Sequence, residues 1–434
     1  WPMRFILPHT KGMRPRWFLR LGLAIYDHLG YRKILPGTSN VNFASQKTDS
    51  PLKDTFKSGF EYSDCWVDDS RLVILNAVDA ASKGASLRNY TKVTNATSSN
   101  GLWTISTKNS LNGKVEIVKA KAFVNASGPW VDEVLKESFK FKDSKNVRLV
   151  RGSHIVVNKL YEGDKSYICQ NKDGRIFFII PYEDNFTLIG TTDIDHGKSA
   201  DQVKISEQEK SYICESASSY LKQEITTNDI VWSYSGVRPL YDDGASKAQE
   251  ATRDYVVSAK EYDYSLMINI FGGKITTYRR LSETILEHIE NFLGKRGKSW
   301  TENSRLPGGE IKVATLSEFE AKLKNKYSFF TNELIRRHAR SYGELSFDIF
   351  GDADSLDALG ENFGGGLYEA EVQYLINNEW ARSSDDILFR RSKLGLILSE
   401  TEIENLNLFL KKYNTKSQSS ENIVPSENKE VLKA

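Results

Sequence analysis

Phe271-Gly272-Gly273-Lys274-Ile275-Thr276-Thr277-Tyr278 is the stretch of sequence that decides the fold. The residues before it, Ser265 to Phe271, form a short apolar run that predicts a buried strand. Apolar residues then recur at helical spacing, so residues 276–293 are predicted as an amphipathic helix. Free N–H groups at a helix start, with a lysine beside them, favour an anion or a polarised carbonyl. The spacing is not that of a P-loop. This stretch alone leaves open the alternative to a ligand-binding turn, namely a plain glycine-rich turn with a solvated lysine.

A second junction of the same kind lies at residues 122–130, where an apolar run enters a predicted helix through Gly128 and Pro129. Proline suits the first turn of a helix, so the helix is expected to begin there. In open α/β sheets, ligands bind beyond the carboxyl ends of the strands, which is where both junctions are expected to lie. Two such junctions together are more informative than one.

Composition sets the class of protein. The 434 residues allow two or three domains, and the hydrophobic fraction of 39% is typical of a soluble globular protein. A net charge of +2 argues against a general nucleic-acid binder. Three widely spaced cysteines indicate a reducing compartment, and the six histidines lack the spacing of a metal site. No apolar run reaches the ~18 residues that a membrane span needs. No signal peptide follows Trp1, and we expect a fragment or a processed chain.

Residues 1–35 are rich in arginine, lysine and aromatic side chains and contain a single acid, Asp27. The apolar side chains of a predicted helix share one face there: Trp17, Leu21, Ile25 and Leu29. Such a helix can lie in a membrane interface and attract anionic lipid. It can also be a core-facing helix with basic flanks, which is the interpretation that the residues alone favour.

The rest of the chain falls into three patterns. Residues 61–147 have an α/β pattern, with a helix capped by Asp68 or Asp69, a strand at residues 86–90 and a hairpin across Asn112-Gly113. Residues 148–257 are rich in strands of the antiparallel kind, interrupted by a helix near residues 207–221. Residues 315–413 are helical, and the polar tail that follows is predicted to be disordered. A strand-rich run between α/β flanks suggests a substrate domain inserted in a cofactor domain.

Three ionisable side chains stand out because each begins or ends a predicted strand beside a glycine, proline or polar turn: His154, Arg238 and Arg253. Two arginines and Lys274 near one pocket suit a phosphate or a carboxylate, since guanidinium can bind either in bidentate fashion. His154 can remove a hydroxyl proton if its pKa lies near neutral. Taken singly, surface ion pairs explain the arginines better, and a satisfied core histidine explains His154 better.

Taken together, the sequence closely resembles the FAD-dependent, aerobic-type glycerol-3-phosphate dehydrogenases, within the D-amino-acid-oxidase-like flavoenzymes. The resemblance runs in order from Trp1 to about Leu410. The stretches that carry it are Pro2-Met-Arg-Phe, Tyr26-Asp-His-Leu-Gly, Gly59-Phe-Glu-Tyr-Ser-Asp-Cys-Trp-Val-Asp-Asp, Val124-Asn-Ala-Ser-Gly-Pro-Trp, Arg151-Gly-Ser-His-Ile-Val-Val, Ile189-Gly-Thr-Thr-Asp, Ser235-Gly-Val-Arg-Pro-Leu, Phe271-Gly-Gly-Lys-Ile-Thr-Thr-Tyr and Arg390-Arg-Ser-Lys-Leu-Gly.

The resemblance implies an FAD cofactor, a substrate and a reaction. The residues expected to line FAD are Gly128, Pro129, Trp130, Thr192, Asp193, Gly272, Gly273, Lys274, Ile275 and Thr276. Those expected to hold the substrate phosphate are His154, Arg238, Arg253 and Lys274, of which His154, Arg238 and Lys274 are the expected catalytic residues. The implied reaction moves a hydride from C2 of sn-glycerol 3-phosphate to the flavin and gives dihydroxyacetone phosphate, and the electrons pass on to ubiquinone or menaquinone.

The resemblance also implies an α/β fold (α+β overall) with three domains. They are an FAD-binding Rossmann-like domain lacking its N-terminal part (residues 61–147 and 255–296), a substrate domain with an antiparallel sheet (1–60 and 148–254) and a helical C-terminal domain (297–415), before a disordered tail (416–434). Residues 1–35 are expected to meet an anionic membrane surface, with the enzyme cytoplasmic and peripheral to the inner membrane. A homodimer is left open.

One departure from the family is large. Proteins of this family begin with a strand and a helix joined by a Gly-x-Gly-x-x-Gly motif, which holds the FAD pyrophosphate. This sequence contains no such motif. We therefore expect the chain as given to bind FAD poorly or not at all, and the intact protein to be the enzyme. It also lacks the Asp-rich calcium loops of mitochondrial relatives, which favours a bacterial type. Two alternatives stay open: a glycerol-3-phosphate oxidase that uses oxygen, and a non-catalytic fragment that binds a phospho-ligand.

Overall fold

A computed structural model describes residues 2–10, 13–28, 35–43, 50–142, 144–171, 173–242, 254–313 and 315–421, with backbone alone from 414 onwards. Its strands are β1 (Pro2–His9), β2 (Ser39–Asn42), β3 (Ser58–Cys65), β4 (Thr91–Ser99), β5 (Leu102–Asn109), β6 (Val115–Ala120), β7 (Ala122–Asn125), β8 (Val147–Asn158), β9 (Ser166–Gln170), β10 (Ile176–Tyr182), β11 (Phe186–Gly190), β12 (Ile194–Asp195), β13 (Ile230–Tyr241), β14 (Val256–Tyr262) and β15 (Ser265–Phe271). Its helices are α1 (Arg16–His28), α2 (Asp69–Ser82), α3 (Val131–Glu137), α4 (Glu207–Tyr220), α5 (Tyr278–Leu293), α6 (Leu316–Lys326), α7 (Asn332–Ser341), α8 (Leu345–Phe350), α9 (Glu369–Asn378), α10 (Ser384–Arg390) and α11 (Glu400–Glu421).

The chain divides into two compact units, Trp1–Val67 with Tyr90–Glu302 and Asp68–Asn89 with Asn303–Ala434. The first unit contains all the strands above, and the second contains α2 and the helices from α6 onwards. Residues 68–89, which the sequence pattern groups with the cofactor domain, thus pack with the C-terminal helices. The domain boundaries drawn from the sequence stay predictions.

The large sheet of the first unit runs in the order β12-β8-β11-β10-β9-β1-β3-β2, and β13 pairs with β8. Its ladders are antiparallel apart from the short β1–β9 pair. Side chains alternate between the two faces of a strand, and Ile155 and Val157 of β8 pack with Ile213 and Ala217 of α4. One face of the sheet is therefore covered by α4, and the even-numbered side chains of β8 project from the other face.

A smaller sheet of the first unit contains the stretch that decides the fold. β15 lies between β14, which is antiparallel to it, and β7, which is parallel to it. Met267 and Ile268 are fully buried, as the apolar run predicts. Asn125 lies opposite Asn269 in the register, so β7 and β15 end side by side. The two strand–glycine–helix junctions are thus neighbours at strand carboxyl ends, which confirms the sequence prediction.

The second unit packs its helices around aromatic side chains, among them Phe319, Tyr327 and Tyr342. Buried charges lie beside this core. Arg71 of α2 donates hydrogen bonds of 2.5 and 2.9 Å to Glu379, which follows α9. Since both partners are nearly inaccessible, loss of Glu379 would leave Arg71, and Arg391 at 3.8 Å from the same carboxylate, without their buried anion. This pair ties α2 to the C-terminal helices.

Three of the predictions for single helices and hairpins are confirmed, and one predicted strand is wrong. The hairpin across Asn112-Gly113, the helix capped by Asp68 and the helix near residues 207–221 are confirmed. The predicted strand at residues 86–90 is wrong, because Tyr90 has φ 53° in a turn and β4 begins only at Thr91.

The helix predicted near the N-terminus is present as α1, but its apolar face is not covered. Trp17, Leu21 and Ile25 are 70%, 52% and 54% exposed. The core-facing interpretation is therefore wrong for the part of this face that the structure describes, and Leu29 lies outside the described residues. Burying such side chains against a partner would be favourable by about 25 cal/mol per Å² of apolar surface.

Candidate active site

The candidate site is built on the face of the large sheet that α4 leaves free. In the β8–β13 ladder, Tyr234 lies opposite His154, and Arg238 lies opposite Val150. Because side chains two residues apart share a face, His154 and Arg238 project from the same side of neighbouring strands. The His154 ring stacks on Tyr234, with ring centroids 4.9 Å apart and planes 9° apart.

Three glycines make room on this face. A Cβ atom at Gly190 would overlap the ring of His154, which lies opposite it in the ladder. A Cβ atom at Gly152 would lie 2.7 Å from Thr191 Oγ1 and 3.6 Å from an Arg238 nitrogen. At Gly236 nothing lies within 4 Å, so the backbone there is open to a ligand. Each of the stretches that carry His154, Arg238 and Thr192 thus contains one of these glycines. Gly152 and Gly190 leave space that neighbouring side chains occupy, and Gly236 leaves its backbone uncovered.

His154 is neutral at physiological pH. Burial, and then the positive charge of Arg238, lower the pKa of His154 to about 4. Its Nδ1 is buried and has no hydrogen-bond partner in the described part of the chain. A neutral imidazole with an unused ring nitrogen can accept a proton, and it is not the satisfied core histidine that the residue alone favours.

Arg238 is held by a carboxylate that a ligand can replace. Its guanidinium pairs with Asp193, and its side chain is 46% exposed. An ion pair this exposed stabilises the fold by at most about 1 kcal/mol, so an incoming anion can compete with Asp193 for the guanidinium.

Thr192, the residue before Asp193, is fully buried. Its hydroxyl accepts from the N–H of Ser153 at 3.0 Å and donates to Glu209 at 3.0 Å.

The Gly272-Gly273-Lys274 turn lies against the end of β13. Gly272 and Gly273 have φ of 75° and 107°, which favours glycine at both positions. A Cβ atom at Gly272 would lie 3.5 Å from the carbonyl oxygen of Pro239, the residue after Arg238. Lys274 is exposed, and its ammonium has no ion-pair partner in the part of the chain that the structure describes. A short 3-10 turn, Ile275–Thr277, then leads into α5.

The junction at Gly128 borders a cavity. Gly128 has φ 55°, with no atom within 4 Å of the position a Cβ would take. The Asn125 amide donates to the carbonyl of Val131 and to Asn269 Oδ1, both at 3.1 Å, and so joins the two strand ends. The Trp130 indole donates to Asp201 at 3.0 Å. Beside this junction lies a cavity of about 480 Å³. Its lining residues include Phe123, Val124, Asn125, Ala126, Ser127, Trp130 and Asp201.

This junction and the glycine turn fit FAD. The cavity volume lies in the range of cofactor and ligand sites, and it opens where parallel strands end. Gly128 and Gly273 keep side chains away from the backbone at both junctions, which a phosphate-bearing cofactor requires for close approach. Gly128–Trp130 and residues 272–276 stay the predicted FAD-binding residues, and of these only Trp130 lines the cavity.

Most of the predicted site residues lie together. His154 and Arg238 are on the adjoining strands β8 and β13, Thr192 and Asp193 lie in the segment between β11 and β12, and both glycine turns contact β13 or its end. The cavity lining does not include His154, Arg238 or Lys274. Arg253 lies outside the described residues.

The sequence patterns missed several residues of the site: Tyr234, Glu209, Asn125 and Asn269. An asparagine within the apolar run of β15 is the one signal that could have indicated Asn269. Glu209 stands three residues after Ser206, a capping pattern that predicts a helix start but no further contact.

Comparison with known proteins supports the same family. The FAD dependent oxidoreductase family model matches residues 11–279, and the C-terminal domain of alpha-glycerophosphate oxidase matches residues 299–408. D-erythritol 1-phosphate dehydrogenase of Brucella abortus is 44% identical, over 93% of this chain and 80% of the relative. Glycerol-3-phosphate dehydrogenase of Pseudomonas aeruginosa is 43% identical, over 94% and 79%. The aerobic glycerol-3-phosphate dehydrogenase of Escherichia coli is 42% identical, over 95% and 82%.

Among solved structures, glycerol-3-phosphate dehydrogenase of Bacillus halodurans complexed with FAD superposes with a TM-score of 0.69. It is 22% identical, and the match covers 96% of this chain and 81% of that one. The mixed α/β fold with a helical C-terminal part is confirmed, as is FAD as the cofactor. This chain belongs to the FAD-dependent oxidoreductase family.

Proposed function

We propose that this protein oxidises sn-glycerol 3-phosphate to dihydroxyacetone phosphate and passes the electrons to a membrane quinone. The observation that carries the proposal is a neutral His154 beside Arg238 on an open strand face, next to the Gly-Gly-Lys turn. The names of the relatives at 42–43% identity support the substrate. When bound, FAD supplies the acceptor for the hydride of C2.

His154 takes the proton of the C2 hydroxyl. An alcohol gives up a hydride only as its O–H proton leaves, so a base must face that oxygen. The neutral imidazole of His154 is our candidate for this base. In the free protein, Arg238 lowers the pKa of His154. A phosphate dianion bound to Arg238 would offset that positive charge and raise the pKa, so substrate binding itself strengthens the base.

Arg238 and Lys274 bind the phosphate. The guanidinium of Arg238 exchanges Asp193 for the doubly charged phosphate, which it can hold in bidentate fashion. Lys274 adds a second positive charge from the glycine turn, and both charges stabilise the oxyanion that develops at C2. Arg253, whose role rests on sequence resemblance alone, is assigned to the same phosphate.

Helix α1 is proposed to bring the enzyme to an anionic membrane surface, on the cytoplasmic side of the inner membrane. The exposed apolar face of Trp17, Leu21 and Ile25 has the character of an interfacial helix, and Arg16 and Arg20 flank it. Anionic lipid attracts each such arginine by about 1 kcal/mol near the surface.

No helix among the residues that the structure describes is long and apolar enough to span a membrane.

Two observations favour a different electron acceptor or a different substrate, and an experiment can distinguish these alternatives. The C-terminal match is to a domain of an oxidase, which favours oxygen as the electron acceptor. The relative at 44% identity is named for D-erythritol 1-phosphate, which favours a longer polyol phosphate as substrate.

Steady-state assays with both substrates and both acceptors test the proposal. We expect a higher kcat/KM for sn-glycerol 3-phosphate than for D-erythritol 1-phosphate. We also expect fast reduction of a quinone analogue with little peroxide. Preference for D-erythritol 1-phosphate would contradict the substrate, and peroxide formed in step with substrate use would contradict the quinone. A purified full-length protein without flavin absorbance would support a non-catalytic phospho-ligand binder.

A further inference from the structure

A buried carboxylate lies beneath the candidate site, on the covered face of the large sheet. Glu209 is the third residue of α4 and is 3% exposed. Burial acts to raise the pKa of its carboxyl, but hydrogen bonds from Ser206, Ser153 and Thr192 outweigh burial and bring the pKa below its ordinary value. Glu209 is therefore a buried anion whose charge is balanced by specific partners.

One carboxylate oxygen of Glu209 is occupied by the helix start. Glu209 Oε2 accepts from the N–H and the hydroxyl of Ser206, both at 2.9 Å, while the Ser206 hydroxyl accepts from the Glu209 N–H at 3.2 Å. This reciprocal capping box stabilises the first turn of α4 and involves no residue of the site. Arg151 adds a contact of 2.7 Å to the same oxygen.

The other carboxylate oxygen has no role in capping. Glu209 Oε1 accepts from the hydroxyl of Ser153 at 2.8 Å and from that of Thr192 at 3.0 Å, with Arg151 Nε at 3.2 Å. The Ser153 hydroxyl donates its single proton to Glu209, so at its 2.8 Å contact with Ser235 it acts as the acceptor. The chain of hydrogen bonds thus runs from α4 through β8 to β13.

Each hydrogen-bonded residue lies next to, or near, a residue of the candidate site. Ser153 precedes His154, Thr192 precedes Asp193, and Ser235 follows Tyr234 and stands three residues before Arg238. Strand side chains alternate, so the hydrogen bonds lie on one face while His154, Tyr234 and Arg238 project from the other. A single buried anion is therefore hydrogen-bonded, directly or through Ser153, to side chains of three segments that meet at the site.

We infer that Glu209 is a positioning residue, which sets the relative placement of His154, Asp193 and Arg238 through Ser153, Thr192 and Ser235. The inference rests on the proposed function only for its kinetic readout. Without the carboxylate the β8–β13 ladder and the Ser153–Thr192 contact would remain, but the Ser153 and Thr192 hydroxyls would lose their shared acceptor. A small displacement of a phosphate-binding arginine then weakens substrate binding.

Glu209→Gln and Ser206→Ala separate positioning from capping. Glu209→Gln puts an amide NH₂ donor in place of one accepting oxygen. Facing Ser206 this group breaks the cap, facing Ser153 and Thr192 it reverses the direction of their hydrogen bonds, and in either orientation Arg151 loses its anion. We expect KM for glycerol 3-phosphate to rise tenfold or more. Ser206→Ala weakens the cap but leaves Glu209 Oε1 in place, so we expect a Tm lower by a few degrees and KM within about twofold of wild type.

Hydrogen exchange provides a readout that needs no turnover. In Glu209→Gln, amides of residues 150–156, 190–195 and 233–240 should exchange faster, whereas in Ser206→Ala faster exchange should be confined to α4. An unchanged KM in Glu209→Gln, or faster exchange in α4 alone, would overturn the inference. If wild type does not oxidise glycerol 3-phosphate, the proposed function fails, and the exchange pattern alone decides the inference. If Glu209→Gln does not fold, Ser235→Ala decides: a KM about threefold higher at unchanged Tm supports positioning, and a wild-type KM contradicts it.

Discussion

Replacing Arg238 with alanine separates its binding role from its structural one. A charge-assisted hydrogen bond contributes about 1.5–3 kcal/mol, and each 1.4 kcal/mol is a factor of ten in an equilibrium constant. KM for glycerol 3-phosphate should therefore rise about 10-fold to 100-fold. The ion pair with Asp193 is about half exposed on the arginine side, so the free energy of unfolding should fall by at most about 1 kcal/mol.

The same substitution should move the pH profile. Arg238 lowers the pKa of His154, so its removal raises that pKa and shifts the acid limb of kcat/KM to higher pH. Steady-state kinetics from pH 4 to 8, with Tm measured on the same samples, test both effects. Arg175→Ala is the matched control, because Arg175 forms a 2.6 Å ion pair with Asp173 in the turn between β9 and β10, and β10 is separated from β8 by β11. Wild-type KM in Arg238→Ala, or an equal rise of KM in the control, would refute the reasoning.

Three further predictions concern other parts of the chain. The pKa of His154 is 6.5 in the unfolded chain and about 4 in the folded protein, so folding opposes its protonation. Between pH 6.5 and 4, the free energy of unfolding of wild type should therefore fall by up to about 3 kcal/mol more than that of His154→Asn, measured by denaturant unfolding. Equal losses in both proteins would contradict this. Trp17→Asp should weaken sedimentation with anionic liposomes several-fold while the equally exposed Ile117→Asp should not, and equal binding of all three proteins would remove α1 from the interface. Glu379→Gln should destabilise the second unit by about 3 kcal/mol in thermal unfolding, because Arg71 loses its buried anion, and an unchanged Tm would show that Arg71 finds another partner.

Local signals sufficed for the elements that frame the site. An apolar run ending in two glycines predicts the end of β15, Asn112-Gly113 predicts the hairpin, and helical spacing of apolar residues near 207–221 predicts α4. Each signal lies within a few residues of the structure it determines, so no knowledge of packing is needed.

The alignment of strands far apart in sequence could not be predicted from the sequence. The stacking of Tyr234 on His154 and the reach of Glu209 to β8 depend on how strands far apart in sequence align, which no local pattern specifies. The grouping of α2 with the C-terminal helices involves contacts between residues far apart in sequence, such as Arg71 and Glu379, which are 308 residues apart. Helical periodicity placed the apolar face of α1 correctly but could not show whether anything covers it.

Anaerobic mixing of the flavin-loaded protein with sn-glycerol 3-phosphate tests the central claim most directly. We expect rapid bleaching of the oxidised flavin spectrum in wild type and slow bleaching in His154→Asn at saturating substrate, because the base that takes the C2 hydroxyl proton is then missing. Flavin that stays oxidised in wild type would contradict glycerol 3-phosphate as the substrate, and equal bleaching rates in both proteins would contradict His154 as the base.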